Sequence, residues 1–196
     1  MAPAGIICAA GVAGTITMRY ESVADIYSAN RKFRERMLAL VNSISEDEAH
    51  AFADGEPWSA SHLLEHVATV NSGMAGICRK LIEKAKESGA VSDGTLAISP
   101  DFFQRAGAPG TEKLEAPERV RPGGGVPIAE SLERMAAADA AFEEMRGDFE
   151  TVGLMEPKFP HPYFGGMTAV EWFVLMGLHE NRHAGQLENL LSKIRK

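Results

Sequence analysis

The sequence predicts an all-α protein: a four-helix bundle of up-down-down-up order, with a long crossover between its second and third helices. Three observations predict it. Apolar residues recur at helical spacing in four separate stretches. A Gly- and Pro-rich segment at 89–127 is too long for an ordinary loop inside a compact domain. His179 and His183 lie inside the apolar stripe of the last stretch, and His66 lies inside that of the second.

At 196 residues the chain has room for one full hydrophobic core. Charged residues at 24% and hydrophobic residues at 45% are those of an ordinary globular protein. A net charge of −7 argues against a nucleic-acid-binding surface. Cys8 and Cys78 make neither a metal spacing nor a disulfide framework, so a reducing cytoplasm is the expected compartment. Met1 to Thr17 is apolar and Ala/Gly-rich, lacks Lys and Arg, and is broken by Gly11 and Gly14, which fits neither a signal peptide nor a membrane span. The expectation is a disordered extension over 1–17, with Met18 as an alternative start codon, and a single bundle domain over 18–196.

Ser22-Val23-Ala24-Asp25 is a helix start, with Ser22 as cap and Asp25 at the third helical position. Val23, Ile26, Phe33, Met37, Leu40 and Ile44 continue one stripe to about Ser45, with Asn30 a polar residue inside it. Ser45 to Glu48 repeats the capping pattern for one short turn, and His50 after it is expected to be exposed. Pro57-Trp58-Ser59 opens the second helix with Ser59 as N-cap. Its stripe runs Leu63, His66, Val67, Val70, Met74, Ile77 and Leu81, and Gly89 is placed to end it.

No period holds between 89 and 127, apart from one expected turn of helix around Phe102 and Phe103. Pro127 fits the first position of the third helix. The stripe there (Leu132, Met135, Phe142, Met145, Phe149) is interrupted by Asp139 and ends at Gly147 or Gly153. Thr168-Ala169-Val170-Glu171 is a capping box that starts the fourth helix, which runs to Ile194.

The second helix, at about 28 residues, is roughly 42 Å long. The segment after it spans on the order of 120 Å when extended, enough to travel back and make the second and third helices parallel. Short links before the second and fourth helices favour antiparallel neighbours there. The start of the second helix then lies beside the later half of the fourth, which brings His66 level with His183 to within about two turns.

Residues four apart on a helix share a face. Trp172, Leu175, Met176 and Leu187 share it with His179 and His183, so both imidazoles are expected to point into the core. Their ring nitrogens must be satisfied there. A divalent metal satisfies them, and three imidazoles without a fourth protein ligand make an open, catalytic type of site rather than a closed structural one. The competing reading is a set of hydrogen-bonded core histidines. His62, one turn before His66, is a weak catalytic candidate at the mouth. Asn30 and Asp139 are candidates for orienting the histidines, set against simpler local hydrogen bonding. Glu65 and Glu180 adjoin histidines and are turned about 100° from that face, so neither is assigned a catalytic role.

Three pieces of sequence then carry a resemblance: Trp58-Ser59 followed by Leu64-Glu65-His66-Val67; Pro162-Tyr163-Phe164-Gly165 leading into Thr168-Ala169-Val170-Glu171-Trp172; and His179-Glu180-Asn181-Arg182-His183-Ala184-Gly185-Gln186-Leu187. In these the chain resembles the DinB-like, or YfiT-like, metal-dependent four-helix bundle proteins. The resemblance implies the up-down-down-up order and a metal triad of His66, His179 and His183, with zinc, nickel or another first-row metal as the ion. It also implies activities that vary between thiol-dependent S-transfer or isomerisation and hydrolysis.

Three functions are therefore weighed. The first is a metal-dependent S-transferase acting on a small-molecule electrophile with a low-molecular-weight thiol as cosubstrate. The second is a metal-dependent hydrolase that activates water. The third is a non-catalytic metal-binding or association bundle, for which a homodimer is expected. The stripes around the histidines are rich in Leu, Val, Met and Trp and offer no strong general base beyond His62, which favours the thiol reading. Neither nucleic acid nor membrane is an expected partner.

Overall fold

The computed structural model of the chain describes residues 7–8, 17–18, 20–107 and 115–196. Four long helices form the bundle: α1 (Val23–Val41), α3 (Ala60–Glu87), α5 (Ile128–Glu144) and α7 (Ala169–Ile194). Three short ones attach to it: α2 (Glu46–His50), α4 (Phe102–Gly107) and α6 (Arg146–Thr151). A hairpin of β3 (Phe159–His161) and β4 (Gly165–Met167) leads into α7. Near the N-terminus β1 (Ile7–Cys8) pairs antiparallel with β2 (Thr17–Met18). The expectation of disorder for the rest of 1–17 lies outside the described residues. Among the described residues no helix is long and apolar enough to cross a membrane.

The helix starts follow from local chemistry. Ser22, Ser45 and Thr168 each accept from the backbone N–H three residues on, while Asp25, Glu48 and Glu171 reach back to the cap's own N–H. These reciprocal pairs satisfy donors that a helix start leaves bare. One of the remaining starts is as expected and one is corrected. Ser59 occupies the cap position of α3 but its hydroxyl bonds the His62 ring instead of the helix backbone. Pro127 is the cap of α5 rather than its first residue, its carbonyl accepting from Ser131. The third helix also ends differently: it bends at Met145 and continues as α6, so Gly147 sits inside a helix. Gly153 follows it where the chain runs against Val91, whose carbonyl leaves no room for a Cβ.

Pairings between helices set the topology. Asn30 with Phe173, Arg34 with Glu180 and Arg36 with Glu188 run in the same sense along both chains, so α1 and α7 are parallel. Asn71 with Glu180 and Cys78 with Ala169 run in opposite senses, so α3 and α7 are antiparallel. Thr69 with Arg134 and Arg79 with Glu144 make α3 and α5 parallel. This is the up-down-down-up order, and 88–127 is the crossover that a parallel pair requires. Its first half is fastened to the start of α7, where Ala97 accepts from the Thr168 hydroxyl and Ser99 donates to Glu171.

The core falls into two apolar clusters. One gathers Ile26, Phe33, Phe142, Phe149 and Phe173 with their neighbours; the other gathers Met37, Leu64, Val67, Met135 and Leu187. Between them lies a polar layer with one residue from each long helix. Arg34 donates to both carboxylate oxygens of Glu180 and also pairs with Asp139, while Asn71 donates to Glu180 at 3.0 Å. The Glu180 side chain is 2% exposed and that of Arg34 12%, so the pair is largely withdrawn from water. Glu180→Leu strands the Arg34 charge with only the half-exposed Asp139 as partner. A loss of about 3 kcal/mol is expected, read as a lowered urea midpoint.

Near this layer α1 and α7 touch at close range. A Cβ on Gly177 would stand 1.9 Å from Asn30 Oδ1 and 3.2 Å from the Phe33 ring. Asn30 cannot retreat easily, because its amide donates to Phe173 O at 3.0 Å and it is buried. Gly177→Ala is expected to cost about 1–3 kcal/mol despite the better helix propensity of alanine, with a lowered thermal midpoint as the readout.

Candidate metal centre

Turning about 100° along α7 from Glu180 leads to the histidines. The hydrogen bonds that hold Glu180 against α1 and α3 fix the rotation of α7, and that rotation points His179 and His183 at α3. There the structure brings together the three histidines singled out from the sequence. His66 Nε2 lies 3.2 Å from His179 Nε2, and His183 Nε2 lies 3.1 Å from His179 Nε2. Among the described residues these three form a group with ligand atoms all within 4.8 Å of one another. His66 and His183 are buried and His179 is half-buried. Burial, the dominant cause, drives the pKa of all three below the ordinary histidine value, that of His179 and His183 well below it. The rings are therefore neutral at pH 7, which is the form that ligates metals.

Hydrogen bonds decide which nitrogen carries the proton. His66 Nδ1 lies 2.7 Å from the carbonyl of Val120, so it donates, and Nε2 is left as a bare lone pair. His183 Nε2 takes an N–H from Arg182 at 2.9 Å, so it too is a lone pair. His179 Nε2 sits between them and carries at most one proton to share. The protein alone thus leaves acceptors facing one another in a buried place, which costs free energy. A tetrahedral site with metal–nitrogen bonds of about 2.0–2.1 Å places its nitrogens about 3.3–3.4 Å apart. The observed separations are close to that, and three imidazole nitrogens are a donor set suited to zinc, nickel or copper. The residues fit a first-row divalent ion.

The crossover supplies a wall of the site. Besides Val120, the backbone N–H groups of Gly123 and Gly124 both donate to the Glu65 carboxylate, each at 2.8 Å. Gly124 has a φ of 79°, and a Cβ there would lie 2.2 Å from His62 Nε2, so the turn passes directly under that ring. Trp58 packs against His66 with ring centroids 5.0 Å apart.

A second wall comes from the hairpin. His161 stacks on Phe164 at 4.4 Å and leans on Trp172 at 5.2 Å. Burial and the charge of Arg119 push its pKa down to about 4. Its Nδ1 accepts from the Tyr163 N–H at 3.2 Å, which leaves the proton on Nε2. The Tyr163 hydroxyl in turn donates to Glu115 O and ties hairpin to crossover.

The remaining candidates fall outside the cluster. His62 is half-buried and hydrogen-bonded to Ser59 Oγ at 2.8 Å. Asn30 binds the Phe173 carbonyl and Asp139 pairs with Arg34, so both belong to the bundle's interior rather than to the histidines. His50 is exposed. Three neighbours went unread in the sequence. Val120 acts through a backbone carbonyl and has no sequence signature. His161 had one signal, its place between two prolines just before the Tyr-Phe-Gly turn. Arg182 sits inside the histidine motif itself.

Comparison with known proteins agrees with this architecture. The chain is similar to YuaE, an uncharacterized protein of Bacillus subtilis (strain 168), with 25% identity over 177 residues covering 84% of this chain and 98% of that one. Its fold is similar to the crystal structure of TT2238, a four-helix bundle protein, with a TM-score of 0.58 and 19% identity over 86% of this chain and 99% of the other. Residues 29–187, from the middle of α1 to the last third of α7 and including all three histidines, match the family profile of the DinB superfamily. The chain belongs to the DinB superfamily.

Proposed function

We propose that His66, His179 and His183 hold one divalent transition metal, and that the protein is an S-transferase joining a low-molecular-weight thiol to a small electrophile. The observation that carries the first part is the convergence of three neutral, buried Nε2 atoms whose separations suit a single ion. A bound divalent ion supplies Lewis acidity, lowering the pKa of a sulfhydryl ligand so that its nucleophilic anion is available near neutral pH.

The chain's own groups favour thiol over water. Hydrolysis calls for a carboxylate or imidazole free to accept a proton near the site. Both carboxylates adjacent to the histidines are committed: Glu65 to the Gly123 and Gly124 amides, Glu180 to Arg34 and Asn71. His161 presents an N–H rather than a lone pair from its Nε2, and His62, bonded to Ser59 through Nδ1, has its Nε2 against the Gly124 turn and lies outside the cluster. The nucleophilic thiol does not come from Cys78, which is fully buried, donates to Ala169 O, and has its pKa pushed far up by burial. A cosubstrate thiol fits that vacancy of function. Val120 holds the His66 ring, Trp58 packs on its face, and the Arg34–Glu180 pair holds α7 in register.

Protein purified without a nickel column is expected to carry about one transition metal per chain by elemental analysis. His66→Ala, His179→Ala and His183→Ala each empty the site while the far-ultraviolet circular dichroism stays helical. His62→Ala keeps the metal. Full occupancy in a triad variant removes that residue from the ligand set.

A metal-loaded sample is expected to consume a low-molecular-weight thiol with an aromatic or halogenated electrophile faster than His179→Ala does. Equal rates across a panel of thiols and electrophiles reject S-transfer. Metal-dependent ester or amide cleavage in the same panel moves the assignment to hydrolysis.

A further inference from the structure

Arg182 is exposed and stands at the rim of the histidine cluster. It lies on α7 between the two histidines and, among the described residues, has no carboxylate partner; its Nη2 donates to His183 Nε2 at 2.9 Å. That lone pair is the one a metal would take. Occupation of the cluster therefore deprives the guanidinium of its acceptor and leaves it facing the site with all five N–H donors free.

The charged groups near it are largely accounted for. Glu180 is paired with Arg34 and Glu65 is held by the Gly123 and Gly124 amides, so each of these two carboxylates is bonded away from Arg182. Arg119 comes from the residue before Val120, whose carbonyl holds His66, and its charge is felt at His161. Two arginines and a divalent ion thus gather at one mouth of a chain whose net charge is −7. Such local concentration of positive charge in a negative protein recruits an anion. Beside it the half-buried Trp58, against His66, offers an apolar face.

We propose that Arg182 anchors an oxyanion-binding position next to the histidine cluster, and that the ligand is a small molecule carrying a carboxylate or phosphate beside an apolar body. The guanidinium fork matches the paired oxygens of either group. This rests on metal occupation of the cluster and narrows the substrate class of the same site.

The test is calorimetric titration of benzoate, phenyl phosphate and benzamide into zinc-loaded and metal-free protein, as wild type, Arg182→Gln and Arg182→Lys, with zinc content measured on each. Wild type and Arg182→Gln are expected to hold equal zinc. Benzoate or phenyl phosphate is expected to bind wild type at least about tenfold more tightly than Arg182→Gln, more tightly still when zinc is present, with Arg182→Lys between them. Whichever anion binds better assigns the oxyanion. Three results overturn the proposal: neither anion binding wild type, both binding Arg182→Gln within about twofold of wild type, or benzamide binding as well as benzoate. A wild type that takes up no zinc refutes the metal reading alone, because the metal-free titrations still decide whether Arg182 holds the anion.

Discussion

The ion pair between Arg34 and Glu180 is the constraint on which the rest of this bundle depends. Apolar side chains fill space but slide past one another at small cost, so two apolar clusters by themselves fix neither the rise nor the rotation of a helix. A buried carboxylate is different: it is tolerated only where its partners are. Arg34, Asn71, Asp139 and Glu180 come one from each long helix, and the Glu180 carboxylate at their centre meets its donors in a single register. Replacing such pairs by apolar residues is often neutral for stability, and their best-attested use is to specify register. Here the register has a consequence. His179 and His183 bracket Glu180 on α7, so the layer that fixes α7 also fixes where two of the three imidazoles stand.

The crossover is the second determinant, and it does more than return the chain. A parallel pair of long helices needs a long connection, and a connection of irregular backbone carries polar groups that must be paired. This one pairs several of them at the site: Val120 with His66, Gly123 and Gly124 with Glu65. The topology thus places a wall of backbone donors and acceptors over the histidine cluster. The β3–β4 hairpin closes against it through Tyr163 and Glu115. Both walls come from segments that lack helical periodicity.

Those same facts explain what could be read from the sequence. The four long helices were legible because each carries a stripe of helical period, and two of their starts, like that of the short α2, carry reciprocal capping pairs. The up-down-down-up order followed from the lengths of three connections. His66, His179 and His183 were legible as a group because a polar ring inside an apolar stripe has to be satisfied somewhere. Glu180 was set aside for being turned from the histidine face, which is correct geometry with an incomplete conclusion. On a helix buried on most sides, a face turned by 100° meets another helix rather than water, and Glu180 is 1% exposed. Arg34 gave no signal, since an arginine beside the Phe33–Met37 stripe reads as solvated until its partner is known. Ser59 is the N-cap as read, though its hydroxyl turns to His62, while Pro127 was misplaced by one position because a proline suits either side of a helix start. Val120 could not have been found, for a carbonyl belongs to every residue.

Successive residues in the stretch from His179 to His183 turn to different surroundings, and each side chain is taken up by them. His179 and His183 meet His66. Glu180 meets α1 and α3 in the polar layer. Asn181 accepts from Arg36 of α1 at 2.7 Å, a contact nearer the surface that adds to the same register. Arg182 remains, pointing its charge at a ring nitrogen for want of a carboxylate. A guanidinium bonded to a neutral imidazole keeps its charge, and at the exposed rim of the cluster that charge is open to an anion from solvent. The helix therefore supplies two of the clustered imidazoles, the carboxylate that frames them and an exposed positive charge within five residues.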